Sequence, residues 1–373
     1  MRSPAIPTGV RAGTCSSSAR SRSSAGSSPH RHRSDHAGLI EAMRALSSAG
    51  IVWAQDALVT DDELDTYLTG AADGLATCRI NAAFRAEPGR WQQQRDAFAA
   101  GRARTRGSEW VTAHTVKFFA DGVIEAGTGF LLEPYADCGP GTVHRCGLPN
   151  WEPEALAEAV RAFDADGFQI HIHAIGDGGV RMSLDAIEHA IRHNGPRDRR
   201  PVIAHTQLVH HDDRPRFAAL GVIANFEPLW ACYDEFMDEL ALPRLGAART
   251  AMQYPIGSLL AAGARLSFGS DWPVSSHHPL EGLAVAVTRT NRRGEPIGGW
   301  VPEERIPMFT AIRAYTEGSA FQAFDDDAGR LAVGMRADLV ITDHDVTALA
   351  GEELGGVTVD ETWLAGHRVF TAD

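Results

Sequence analysis

Four apolar runs in this chain end in a side chain able to bind a metal or move a proton, and each run is followed by a helical pattern. Phe168-Gln-Ile-His171-Ile-His173-Ala-Ile-Gly176-Asp177 delivers histidines to the end of a strand. Thr115-Val-Lys117-Phe-Phe-Ala-Asp121-Gly ends in a lysine and an acid. Pro201-Val-Ile-Ala-His205-Thr-Gln207 ends in a histidine, and Leu266-Ser-Phe-Gly-Ser-Asp271-Trp-Pro in an aspartate. In a (β/α)8 barrel all such strand ends meet on one face, where catalysis occurs. Lys117, His173, His205 and Asp271 together make an oxygen-and-nitrogen metal site the leading reading.

The rest of the pattern agrees with a barrel. Strands are expected near residues 51, 80, 117, 170, 203, 223 and 267, with helical segments between them. Seven is one short of a closed eight, and the missing strand should come first. The fold class is therefore α/β, a TIM-type (β/α)8 barrel without its first strand. Residues 1–36 are rich in Ser and Arg, with no acid before Asp35, and are expected to be a disordered tail. His30-Arg-His32 lies in that tail without a supporting strand and is not taken as a metal motif. The barrel is expected over 37–328. From Gly329 to Asp373 the pattern changes to short strands and turns, a small β-structure.

A long Gly- and Pro-rich stretch, roughly 122–151, leaves the end of the Lys117 strand and is expected to cover the substrate. Cys138, His144 and Cys146 within it lack the spacing of a zinc site and are taken as ordinary loop residues.

Composition narrows the function classes. The balance of 35 basic against 48 acidic residues gives a net charge of -13, which argues against a nucleic-acid partner. No apolar run approaches the roughly 20 residues that a membrane helix needs. Five cysteines, an odd number without a CxxC pair, point away from a disulfide framework and towards the reducing cytoplasm.

Taken together, VKFFADGVIEAGTG, HIHAIGD, IAHTQLV, FGSDWPV and the terminal GRLAVGMRADLVI…TWLAGHRVF resemble the amidohydrolase superfamily, in particular its amidohydrolase-3 group of N-substituted formamide deformylase-like enzymes. The resemblance runs from about Gly38 to the C-terminus. It implies a metal-dependent hydrolase on a TIM barrel flanked by a β-sandwich built from both chain ends, so that 329–373 would be its C-terminal part. It also implies that Lys117 is carboxylated and bridges two metals, that His173 and His205 are ligands, and that Asp271 is the strand-eight aspartate. The family's strand-one HxH pair has no counterpart here, so the resemblance is to an N-terminally truncated member.

The chemistry that follows is hydrolysis of carbon–nitrogen bonds in amides or N-substituted formamides, with one or two divalent ions, zinc being the expected metal. Asp271 would be both ligand and general base, returning the proton to the leaving amine. Burial among Val116, Phe118 and Phe119 would lower the Lys117 pKa and favour its carboxylation. Trp230 and Trp272, just beyond strand ends, are assigned to substrate binding. His171 is expected to face away from His173, packed between barrel and helices, and Asp177 to cap the following helix. The partner expected is a small amide-type substrate, with a homo-oligomer allowed. The rival reading is a non-catalytic remnant or interaction module, motivated by the missing strand; ester or phosphotriester hydrolysis on the same metal is a third.

Overall fold

The structure is a computed structural model that describes residues 29–373 apart from Pro140, and backbone only for residues 29–35. Its centre is one parallel sheet. The strands are β1 (Trp53–Val59), β2 (Arg79–Arg85), β3 (Val111–Phe119), β4 (Gln169–Ala174), β5 (Val202–His205), β6 (Ile223–Phe226) and β7 (Arg265–Phe268), hydrogen-bonded in that order. All seven expected strands are present, and every neighbouring pair is parallel. Helices α1 (Pro29–Ser48), α2 (Asp61–Ala72), α3 (Trp91–Arg104), α4 (Pro153–Ala165), α5 (Asp177–Asn194) and α6 (Arg214–Leu220) alternate with them. The α1 backbone starts inside the segment expected to be a tail, and residues 1–28 lie outside the described residues.

Strand alternation explains the layering. The outward side chains are apolar and covered: Val116, Phe118, Ile170, Ile172, Ile203, Ala224 and Phe226 are all buried. The inward side chains include a polar layer, with Ala83, Val202 and Ala204 as apolar members of the same face. Asn81 Nδ2 donates to Gln55 Oε1 (3.1 Å) and Thr115 Oγ1 (2.8 Å), and Thr115 Oγ1 donates to Gln169 Oε1 (2.7 Å). Gln169 Nε2 donates to the Gln322 carbonyl (2.9 Å), Ser267 Oγ to Gln322 Oε1 (2.6 Å), and Asn225 Nδ2 to Ser267 Oγ (2.9 Å). This chain joins β1, β2, β3, β4, β6 and β7 through the helix Ser319–Gln322. It closes only because the sheet curls, as does the contact of Gln55 on β1 with His171 on β4.

His171 therefore does not pack between sheet and helices. Residues two apart on a strand share a face, so His171 points inward with Gln169 and His173, and Ile170 and Ile172 fill the outer layer.

The long stretch after β3 has no strand or helix before α4 among its described residues. It is tied down rather than free. Buried Asp121 accepts from the backbone N–H groups of Phe130 (2.8 Å), Ile175 (3.0 Å) and Gly176 (2.8 Å). A Cβ at Gly176 would lie 2.1 Å from the Phe130 carbonyl oxygen, so this crossing requires glycine. Asp177 does not act as the N-cap, which is Gly176. Its Oδ1 accepts from Gly178 N (3.0 Å) and from Leu132 N (3.0 Å), joining the loop to the start of α5.

After the barrel strands comes a small antiparallel sheet, order β10–β9–β8, of β8 (Leu339–Thr342), β9 (Val359–Leu364) and β10 (His367–Thr371). It is fixed to the barrel by Arg79 at the start of β2, which meets Asp338 at 2.7 Å with side chains only 11% and 7% exposed. Asp338 Oδ1 also accepts from Ala365 N at 2.8 Å. Removing one partner of a buried ion pair leaves an uncompensated charge, at a cost of about 3–5 kcal/mol. Asp338→Ala is therefore expected to lower stability by that order in urea unfolding, and a change under 1 kcal/mol would show the pair to be dispensable.

Candidate active site at the strand C-termini

Period two carries the polar inner face upward from the hydrogen-bonded layer to the C-terminal ends of the strands. Above Thr115 comes Lys117, above Gln169 come His171 and His173, and above Asn225 comes Glu227. Lys117, His173 and His205 are each at most 8% exposed.

Lys117 Nζ lies 3.3 Å from His171 Nε2. The other ring nitrogen of His171, Nδ1, accepts from the Gln55 amide, whose oxygen is already taken by Asn81. A neutral imidazole accepts at one nitrogen and donates at the other. With Nδ1 accepting, Nε2–H of His171 faces the Lys117 amine. Burial pushes the Lys117 pKa down to about 8, against the opposing pull of Asp271 and Glu227. The same burial, with Lys117 beside it, holds His171 far below the usual imidazole range.

His173 and His205 meet edge to face, with ring centroids 4.5 Å apart. Each is oriented by one nitrogen. His173 Nε2 donates to the Gly122 carbonyl at 3.0 Å, with Asp121 Oδ1 at 3.7 Å. His205 Nδ1 is 2.8 Å from Glu227 Oε2. Burial lowers both histidine pKa values and keeps the rings neutral. It pushes the Glu227 carboxyl up to about 8 and that of Asp121 up to about 7. His173 Nδ1 and His205 Nε2 make no hydrogen bond among the described residues, and their opposite nitrogens are held by a carbonyl and by the Glu227 carboxyl group. That is how second partners orient metal-ligating histidines, and this donor set fits a divalent ion such as zinc.

Asp271 stands apart. It ends β7 at the sheet margin, is exposed, and has φ +51°. Its charge reaches Lys117 and His205, where it opposes the lowering of both pKa values by burial. Its oxygens do not join the histidines in a tight cluster: among the described residues, the group of three His, Cys, Asp or Glu donors within 4.8 Å of one another is His210, His211 and Asp212.

The two tryptophans divide. Trp230 stacks on His205, centroids 5.3 Å apart and planes 9° apart, and donates to Ser275 Oγ at 3.1 Å. Trp272 is 43% exposed and leans on His277 rather than on the site. Glu227 escaped the sequence reading of the site, and Asp121 was noted there as a strand-end acid without a role. Glu227 was findable by the rule that found the others, since Val222-Ile-Ala-Asn-Phe226 is an apolar run ending in an acid.

Comparison with known proteins gives the lineage. The amidohydrolase family profile matches residues 21–370. The protein LONG AFTER FAR-RED 3 of Arabidopsis thaliana is 36% identical over 238 residues, 63% of this chain and 39% of that protein. The N-substituted formamide deformylase of Arthrobacter pascens is 28% identical over 56% of this chain and 37% of its own. The chain thus spans less than half the length of these curated relatives. An uncharacterized metal-dependent hydrolase from Pyrococcus horikoshii superposes with TM-score 0.72 at 23% identity, covering 86% of this chain and 62% of that one, and shares the fold. From the profile match over most of its length, the chain belongs to the amidohydrolase family.

Proposed function

We propose that this protein is a metal-dependent hydrolase of carbon–nitrogen bonds other than peptide bonds, acting on small amide-type substrates such as N-substituted formamides. The observation that carries the reading is the His173–His205 pair: two neutral, buried imidazoles in contact, each with one nitrogen anchored and the other free. The similarity to a formamide deformylase supports the bond type.

His173 Nδ1 and His205 Nε2 would hold the ion, with Lys117 and Asp271 completing the set. A divalent metal, zinc by the donor types, would supply Lewis acidity and a water acidic enough to attack at neutral pH. The Asp271 carboxylate would serve as general base towards that water and as proton donor to the departing amine nitrogen. Its exposure suits proton exchange better than the buried acids would. Burial lowers the Lys117 pKa to about 8, which brings the neutral amine, the form able to become carboxylated, within reach near neutral pH. Trp230, flat against His205, makes an apolar wall that orders the ring and keeps water from that side. Trp272 would touch substrate only at the outer rim.

The rival, a non-catalytic family member, is favoured by one observation, the absence of a tight donor cluster around Asp271 among the described residues. Elemental analysis separates the two. At least one equivalent of divalent metal per chain is expected after purification with zinc present, and its loss in His205→Ala. Metal near zero in the unaltered protein would favour the rival.

Asp271→Asn is expected to keep the fold and lower kcat on amide substrates by about 10²–10⁴-fold, the range for a general base; unchanged turnover would remove Asp271 from catalysis. Glu227→Ala is expected to weaken metal retention by about 10–100-fold, since it frees the ring of His205. A competition titration against a chelator reads that change.

A further inference from the structure

The exposed face of α5 carries two histidines that the barrel site does not use. His189 and His193 are four residues apart and so share one face of the helix. Their ring centroids are 4.0 Å apart, with planes tilted by 33°. Each ring has one nitrogen committed. His189 Nε2 is 3.2 Å from Glu158 Oε1 on α4, and His193 Nδ1 donates to the His189 carbonyl at 2.8 Å. A neutral imidazole that donates at one nitrogen keeps a lone pair at the other. His189 Nδ1 and His193 Nε2 are therefore both free lone pairs, and among the described residues neither makes a hydrogen bond.

We infer that His189 and His193 form a two-nitrogen site for a divalent transition metal on the outer face of α5, with Glu158 fixing the orientation of His189. The arrangement repeats the logic of metal-ligating histidines, in which the remote N–H is held by a carboxylate or a carbonyl. Imidazole donors suit copper, nickel and zinc, and affinity for a given site rises to copper along the divalent series. The neighbouring cation does not oppose binding strongly. Arg161 Nε sits 3.0 and 3.2 Å from the Glu158 oxygens, so its charge is matched. With two protein ligands and the remaining positions left to water, the site is open. A metal there would tie α4 to α5 through Glu158 and His189.

The site is remote from the strand ends. His193 lies 16 residues along α5 from Asp177, about 24 Å at 1.5 Å per residue. The cluster His210, His211 and Asp212 is a weaker candidate. His210 Nδ1 already accepts from Arg181 (3.1 Å) and from Asp212 N (3.3 Å), so its lone pair is spent.

The test is titration of the full chain with Cu²⁺, read by paramagnetic resonance, in the unaltered protein and in His193→Ala. Position 193 is exposed, and alanine suits a helix, so the variant should fold; circular dichroism checks this. The unaltered protein is expected to take up one more equivalent than His193→Ala, with the signature of two imidazole nitrogens. Glu158→Gln should retain that equivalent with affinity lowered about tenfold or more. The same difference of one equivalent should persist when both proteins also carry Asp271→Asn, which separates this site from the barrel. Equal Cu²⁺ uptake by the unaltered protein and His193→Ala would overturn the inference, whatever metal the strand ends retain.

Discussion

The hydrogen-bonded layer inside the curled sheet is the constraint on which the rest of the structure depends. Asn81, Thr115, Gln169, Ser267, Asn225 and Gln322 are buried polar groups, joined at one end by the half-buried Gln55, and an unpaired buried one would cost more than its hydrogen bond returns. They can all be satisfied in only one way: each strand must stand in register with its neighbours, and the sheet must bend until β4 and β7 both reach Gln322. The curl is thus enforced from inside by pairing, and from outside by the apolar layer under the helices. Once the layer is in place, alternation puts Lys117, His171, His173 and Glu227 above it without further choice. The site inherits its geometry from a floor that does no chemistry.

The strand ends carry strain that the layer below does not. His205, Thr206 and Asp271 have φ of +75°, +43° and +51°. Such conformations are unfavourable for residues other than glycine, most of all for a β-branched threonine, and they persist where the surroundings over-determine them. Thr206 Oγ1 is also buried without a partner. The sharp turn at His205 leaves the strand direction immediately after the ring is delivered to Glu227 and Trp230. The same left-handed turn at Asp271 leaves the carboxylate exposed beyond the last residue of β7. Backbone strain is thus present at the two ends where a side chain must leave the sheet at once.

What could be read from sequence was whatever rests on local periodicity. The seven strands were legible because their outer faces are apolar and their ends carry charged or imidazole groups. The inner polar layer was not, since Gln169 and Thr115 look like ordinary interruptions of a hydrophobic run until their partners 54 residues apart are brought together. His171 was misplaced although the signal was present: Gln169, His171 and His173 alternate strictly with Phe168, Ile170 and Ile172, so the histidines had to share a face. Trp272 was assigned from its place beyond a strand end, but the turn at Asp271 carries its ring towards His277. Gln322 was beyond any local rule, because it enters the sheet interior from a helix that follows the last barrel strand.

The asymmetry across the sheet bears on how the proposed site would work. His173 and His205 lie on central strands with neighbours on both sides, and their free nitrogens are fixed before anything binds. Asp271 ends β7, which pairs on one side alone among the described residues, and no protein group holds its carboxylate. The central half of the site is therefore preorganised, whereas the marginal half must be drawn in. A cation held by the two imidazoles would attract Asp271 over the short range within which that carboxylate already perturbs Lys117 and His205. Because Asp271 is exposed, it stays in contact with water. A carboxylate locked among the histidines would bind metal more tightly but would give up that contact, so its loose placement suits the base of a hydrolytic reaction better than the wall of a structural metal site.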